Sequence, residues 1–139
     1  MNYMENNNTM ICEFIAIDGD SIGKLLEKYI LTNDLDRLSV LSTNIQSDID
    51  TLSIHLQENH GYVIMKGGDN ILCQCNLNSI EVLVKEILLI NKSREYHFSA
   101  GIANSAVNAY MALKYAKLSG NTVVRFYTEP DNSFEILHR

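Results

Sequence analysis

Hydrophobic and polar positions fall into blocks whose period switches between strand-like and helix-like. Residues 11–17, ICEFIAI, are a short apolar run that predicts a buried strand stopping at Asp18-Gly19-Asp20. Asp20 or Ser21 is placed to cap a helix that runs to Leu31 and is broken by Thr32-Asn33-Asp34. Leu35, Leu38, Leu41, Ile45, Ile49, Leu52 and Leu56 then recur at spacings of three and four, one buried stripe of a second helix. Asn59-His60-Gly61 ends it. YVIMK (62–66) and ILCQC (71–75) predict the two strands of a hairpin, with Gly67-Gly68-Asp69-Asn70 as its turn. Asn78 and Glu81 predict the start of a helix that buries Ile80, Leu83, Val84, Ile87 and Ile90. YHFSAGIA (96–103) predicts a strand. Asn104 or Ser105 caps a helix over 106–118 with Val107, Met111, Tyr115 and Leu118 on one side. Ser119-Gly120-Asn121 stops it, and TVVRFY (122–127) is the last strand.

The order β-α-α-β-β-α-β-α-β is α+β, and its heart is the split βαβ plan of ferredoxin-like folds. An antiparallel-rich sheet with helices on one face is expected. The expected organisation is a flexible polar leader over 1–10, one domain over 11–128 and a polar tail over 129–139. In this plan the first strand lies beside the third. The hairpin turn then shares a sheet edge with the first strand's C-terminal end, so Asp18 and Asp69 are expected to be spatial neighbours.

Composition narrows the function. The chain has 139 residues, 46% hydrophobic and 20% charged, which suits one globular domain. Its net charge of −6 argues against stable nucleic-acid binding, which needs clustered Lys and Arg. No apolar run is long enough for a membrane helix, and the N-terminus has no signal-peptide pattern. The odd cysteine count (Cys12, Cys73, Cys75) fits a reducing cytoplasm. The C-x-C pair reads as small buried hydrophobes, because no further ligands stand at metal-site spacing. His55, His60, His97 and His138 form no ligand pattern.

Two facing carboxylates repel at neutral pH, and a structure keeps such a pair where a cation joins them. Mg²⁺, or Mn²⁺ in its place, suits Asp18 and Asp69, because it takes one or two carboxylates plus waters and phosphate oxygens. The loop Gly19-Asp20-Ser21-Ile22-Gly23 enters a helix, where backbone N–H groups attract phosphate, and Lys24 follows. Gly67 and Gly68 remove side chains where a ligand would approach closely. Each part also has a plainer reading. DGD is often a turn with a helix cap, GGDN is a good hairpin turn, and Lys114 and Lys117 are ordinary solvated lysines. Asp20 is either an outer metal or water ligand or the helix cap.

At these residues the chain resembles the GGDEF and CRISPR-polymerase palm superfamily. The matching pieces are FIAIDGDSIGK (14–24), YVIMKGGDNILCQC (62–75) and FSAGIANSAVNAYMALKYAKLSGNTVVRFY (98–127). The compact size and the DGDxIG form are similar to the minimal CRISPR polymerases (mCpol). The resemblance implies a palm domain in which Asp18, the Gly19 carbonyl and Asp69 hold metal, and residues 19–23 hold the triphosphate. It also implies that Lys117, with Lys114 as a second candidate, reaches phosphates. Asn70 stands where these families carry a second acid. The segment by which diguanylate cyclases read guanine has no recognisable counterpart, which favours ATP over GTP.

The resemblance further implies a nucleotidyltransferase that releases pyrophosphate and makes a cyclic dinucleotide such as cyclic di-AMP for antiviral signalling. A separate effector would sense the product. One palm site holds one triphosphate, so a homodimer is expected to supply the second. The competing expectations are a cyclic oligoadenylate synthase, a palm-fold GTP cyclohydrolase and a non-catalytic nucleoside triphosphate sensor.

Overall fold

A computed structural model of the chain describes residues 13–139. The expected leader over 1–10, the first two residues of the expected first strand and Cys12 lie outside the described residues.

The elements follow the expected order, with one addition. They are β1 (Glu13–Asp20), α1 (Ile22–Leu31), α2 (Leu35–Glu58), β2 (Tyr62–Lys66), β3 (Asn70–Cys75), α3 (Leu77–Ser93), β4 (His97–Ala103), α4 (Ala106–Ser119), β5 (Val123–Tyr127) and β6 (Ser133–His138). One six-stranded sheet has the order β2-β3-β1-β4-β5-β6. β1 pairs antiparallel with β3 on one side and β4 on the other, and among the described residues only β4 and β5 pair in parallel. Among the described residues, no helix is long and apolar enough to cross a membrane.

Five expectations need correction. The stretch expected as a polar tail contains β6, which pairs with β5. Its alternation, Phe134 and Ile136 against Glu135 and Leu137, is strand-like. As an edge strand it keeps most of its side chains exposed, Phe134 and Ile136 among them, so no buried apolar run marks it in the sequence. Asp18-Gly19-Asp20 is strand, not turn: β1 continues because β4 offers Ser99, Phe98 and His97 as ladder partners. α3 starts two residues earlier than expected, capped by Asn76, whose side chain accepts from the Ser79 N–H.

The helices also lie on both faces of the sheet. Ile15, Ile17, Ile71, Cys73, Phe98 and Ile102 project to one face and form the main core with α1, α2 and α3. Ala16, Ala103 and Val124 project to the other, under α4. Side chains alternate across a strand, so both faces of β1 and β4 need cover. The α4 side is built from small residues. A Cβ at Gly101 would lie 2.1 Å from the Leu113 nitrogen and 2.2 Å from the Ala109 oxygen. Ala109, Ala112 and Ala116 complete this close contact. The large apolar side expected on α4 is not the one that packs against the sheet; it points outward, with Val107, Met111, Tyr115 and Leu118 exposed.

On the opposite face, Asp48 of α2 is 6% exposed and accepts two bonds from Arg94, at 3.0 and 3.1 Å, and one from the Tyr96 hydroxyl. A buried carboxylate needs such partners. This clamp fixes α2 to the α3–β4 connection.

The Gly101 contact yields a test. Backbone atoms cannot swing aside as side chains do, so Gly101→Ala should destabilise the fold by about 1–3 kcal/mol by overpacking. Urea unfolding measures the loss. An unchanged midpoint would mean that α4 does not sit this close to β4.

Candidate active site

The pairing of β1 with β3 builds the site. Asp18 lies opposite Asn70 in the ladder, and the Gly19 N–H donates to the Asp69 carbonyl at 3.0 Å. This brings the two acidic segments to one sheet edge, as the topology predicts. Gly19 leaves room there: a Cβ would fall 2.1 Å from Ile22 Cδ1, forcing that side chain to move, and 3.1 Å from Asp69 Oδ2. Gly67 and Gly68 form the hairpin turn, and the Gly67 N–H closes it on the Asn70 carbonyl at 2.9 Å.

Asp18 and Asp20 are two residues apart on β1 and share the face that α4 covers. From α4, Lys117 Nζ donates to Asp18 Oδ2 at 3.0 Å and to the Gly19 carbonyl at 2.8 Å, and it lies 3.7 Å from Asp20 Oδ1. Lys114 is not brought to the cluster; its ammonium sits 5.1 Å from the centre of the Tyr110 ring.

The capping reading of Asp20 and Ser21 is overturned. Asp20 Oδ2 accepts from the Ser99 hydroxyl at 2.6 Å, so that oxygen is turned toward β4. Ser21 holds the N-cap position with φ 56°, in the left-handed region, and its side chain makes no cap bond. A non-glycine residue in that region stores strain of the kind found at ligand-binding turns. The first turn of α1 therefore keeps its N–H groups free of side-chain caps, as a phosphate site requires.

Ile22 and Gly23 line a cleft of about 350 Å³ together with Leu26, Ser42, Ile45, Gln46, Gly68 and Asp69. Asp69 is thus shared between the carboxylate cluster and the cleft. Lys24 lies on the other side of α1's start, in a shallow hollow with Asp20, Ser21, Lys28 and Tyr96.

The charges are out of balance. Burial pushes the Asp69 carboxyl above its usual range, and the Asp18 charge pushes it further; Lys117 pulls the other way. Asn70 adds a buried Oδ1 that has no hydrogen-bond donor. Among the described residues, no three His, Cys, Asp or Glu side chains converge as a metal cluster. The donors brought together are the Asp18 and Asp69 carboxylates and the Gly19 carbonyl, while Asn70 Oδ1 lies against Gly67. Such a hard oxygen set fits Mg²⁺ or Mn²⁺ completed by water and phosphate. The Lys117 ammonium, held by Asp18 and Gly19, shows that a cation is accommodated there.

The sequence profile of the minimal CRISPR polymerase domain matches residues 14–127. The chain belongs to this family. The domain's match takes in every site residue described above.

Solved structures agree in fold. A bacterial light-regulated adenylyl cyclase superposes with a TM-score of 0.64 at 8% identity, covering 91% of this chain and 90% of that one. The Csm1–Csm4 cassette in complex with cA4 gives 0.65 at 14% identity, covering 83% of this chain and 20% of that one. The GGDEF domain of DgcB from Caulobacter crescentus, in complex with c-di-GMP, gives 0.62 at 14% identity, covering 87% and 80%. No curated protein matches. This minimal CRISPR polymerase domain therefore has the palm fold of nucleotide cyclases and spans only a fifth of the Csm chain.

Sequence reading missed Ser99 and the cleft wall. In the sequence Ser99 is marked only as one position of the YHFSAGIA strand. Ser42 and Gln46 sit four apart at the margin of α2's apolar stripe, and that spacing was their only signal.

The strained charge balance predicts a stability change. A carboxyl group whose pKa is raised by folding supports the fold below its unfolded pKa and loses that support as pH rises through the folded value. At pH 7 without divalent ions, Asp69→Asn should therefore raise Tm. At a pH where both states hold the proton, it should not. Equal Tm values at pH 7 would contradict the imbalance.

Proposed function

We propose that this chain is a metal-dependent nucleotidyltransferase that joins two ATP molecules into a cyclic dinucleotide such as cyclic di-AMP, with release of pyrophosphate. The observation that carries this reading is the meeting of Asp18, the Gly19 carbonyl and Asp69 beside a cleft that opens at an uncapped helix start.

Asp18, Gly19 and Asp69 would hold Mg²⁺ or Mn²⁺. Bound there, divalent ions lower the pKa of a ribose hydroxyl and neutralise charge on the leaving pyrophosphate. The N–H groups of Ile22 and Gly23 receive phosphate oxygens, and Lys117 supplies a cation to the same chain of phosphates. Leu26 and Ile45 offer apolar walls for a base, and Ser42 and Gln46 offer polar groups at its edge. In each of two steps a ribose hydroxyl oxygen bonds to the α-phosphorus of the other nucleotide. The hydroxyl proton goes to solvent, and the bond to pyrophosphate breaks. The second triphosphate comes from a second copy in a symmetric dimer. The solved relatives whose complexes hold ATP, cA4 or c-di-GMP support nucleotide chemistry on this fold. Family membership supports a role in antiviral defence, with a separate protein sensing the product in the cytoplasm.

Asn70 favours a second reading, in which the chain binds a triphosphate as a sensor and does not turn it over. One assay separates the two. The purified chain is incubated with each nucleoside triphosphate and Mg²⁺ or Mn²⁺, and products are resolved by ion exchange and mass spectrometry. The expected product is a cyclic di-adenylate, which Asp69→Ala abolishes while the circular dichroism spectrum is kept. Larger rings or linear oligomers would indicate an oligoadenylate synthase, and an opened guanine ring a cyclohydrolase. Nucleotide binding without any phosphodiester product would establish the sensor and overturn the cyclase.

A further inference from the structure

Lys117 occupies a position that the proposed reaction does not explain. A lysine that only reached for phosphate would extend toward the uncapped start of α1. Here its ammonium bonds two of the oxygens assigned to metal, Asp18 Oδ2 and the Gly19 carbonyl, at 3.0 and 2.8 Å, with Asp20 Oδ1 3.7 Å away. Its side chain is 26% exposed and that of Asp18 is 32% exposed, so water screens the pair only in part.

The surroundings hold Lys117 in place. Ala112, Leu113 and Ala116 pack α4 against the sheet, and Gly101 allows that approach, so the helix sits close enough for Lys117 to reach the β1 oxygens. Asp20 is fixed by Ser99, which is 1% exposed, and forms a second negative wall on the same side. A metal held by the Asp18 carboxylate and the Gly19 carbonyl would be drawn to the same oxygens that the ammonium contacts at 3.0 and 2.8 Å. Two cations drawn to the same pair of oxygens at such distances repel each other strongly.

We propose that Lys117 is a resident counter-ion that competes with the divalent metal for Asp18 and the Gly19 carbonyl. Binding of metal and of nucleotide is thereby coupled: the triphosphate draws the ammonium onto its phosphates and frees the two oxygens for metal. Lys117 thus makes metal entry depend on substrate. The inference rests on the metal-site reading above and adds an order of binding to it.

The test measures Mn²⁺ binding directly, by the loss of the free-ion electron paramagnetic resonance signal on titrating the intact chain. Without nucleotide, Lys117→Met keeps much of the side chain's bulk, removes the charge and should bind Mn²⁺ roughly tenfold more tightly than wild type, the effect of removing one like charge from the site. Wild type should gain affinity when a non-hydrolysable ATP analogue is present, and Lys117→Met should gain much less. Lys117→Arg, which keeps the charge, should bind as weakly as wild type. Equal or weaker Mn²⁺ binding by Lys117→Met would overturn the proposal. Asp18→Asn and Asp69→Asn, each added to Lys117→Met, test the underlying site: if neither lowers Mn²⁺ binding, the metal-site reading itself fails. Circular dichroism and Tm confirm that each variant is folded.

Discussion

The antiparallel ladder between β1 and β3 is the constraint on which the site depends. Its register sets Asp18 against Asn70 and bonds the Gly19 N–H to the Asp69 carbonyl. A one-residue slip would turn Ile15 and Ile17 out of the core and move Asp18 to the other face. The apolar packing that holds the register therefore also fixes the placement of the acids. Burial raises the pKa of the Asp69 carboxyl, and Asp18 adds like charge beside it, so unbalanced negative charge is held at this edge.

The second face of the sheet supplies the balancing charge. α4 approaches closely because Gly101 and a set of alanines leave no bulk between helix and strands. That approach brings Lys117 onto the same face as Asp18 and Asp20. Core packing and site chemistry are thus linked through one helix: the residues that seat α4 also decide where the ammonium lies. Ser99 extends the link by holding Asp20 from the buried side of β4.

Much of this was legible in the sequence. Element order and the meeting of Asp18 with Asp69 follow from period and topology, because large apolar residues at strand and helix spacing mark the main core. The inner face of α4 was not legible. It is selected for smallness, whereas periodicity picks out large side chains, and Val107, Met111, Tyr115 and Leu118 lie outside. β6 was missed because it is a short edge strand whose positions are mostly exposed, following a proline-containing turn. The role of Asp20 was ambiguous because an acid before a helix reads as a cap. Only the position of Ser99 across the ladder shows that its carboxylate is engaged elsewhere. Ser42 and Gln46 border the cleft through the packing of α2 against α1 and the hairpin turn, which local sequence does not encode.

The central claim is that Asp18 and Asp69 share a divalent cation. Anomalous diffraction from crystals grown with Mn²⁺ and a non-hydrolysable ATP analogue tests it most directly. The account predicts a manganese peak at bonding distance from both carboxylates and from the Gly19 carbonyl. Nucleotide density in the cleft, with manganese absent from those oxygens or bound only elsewhere, would contradict it.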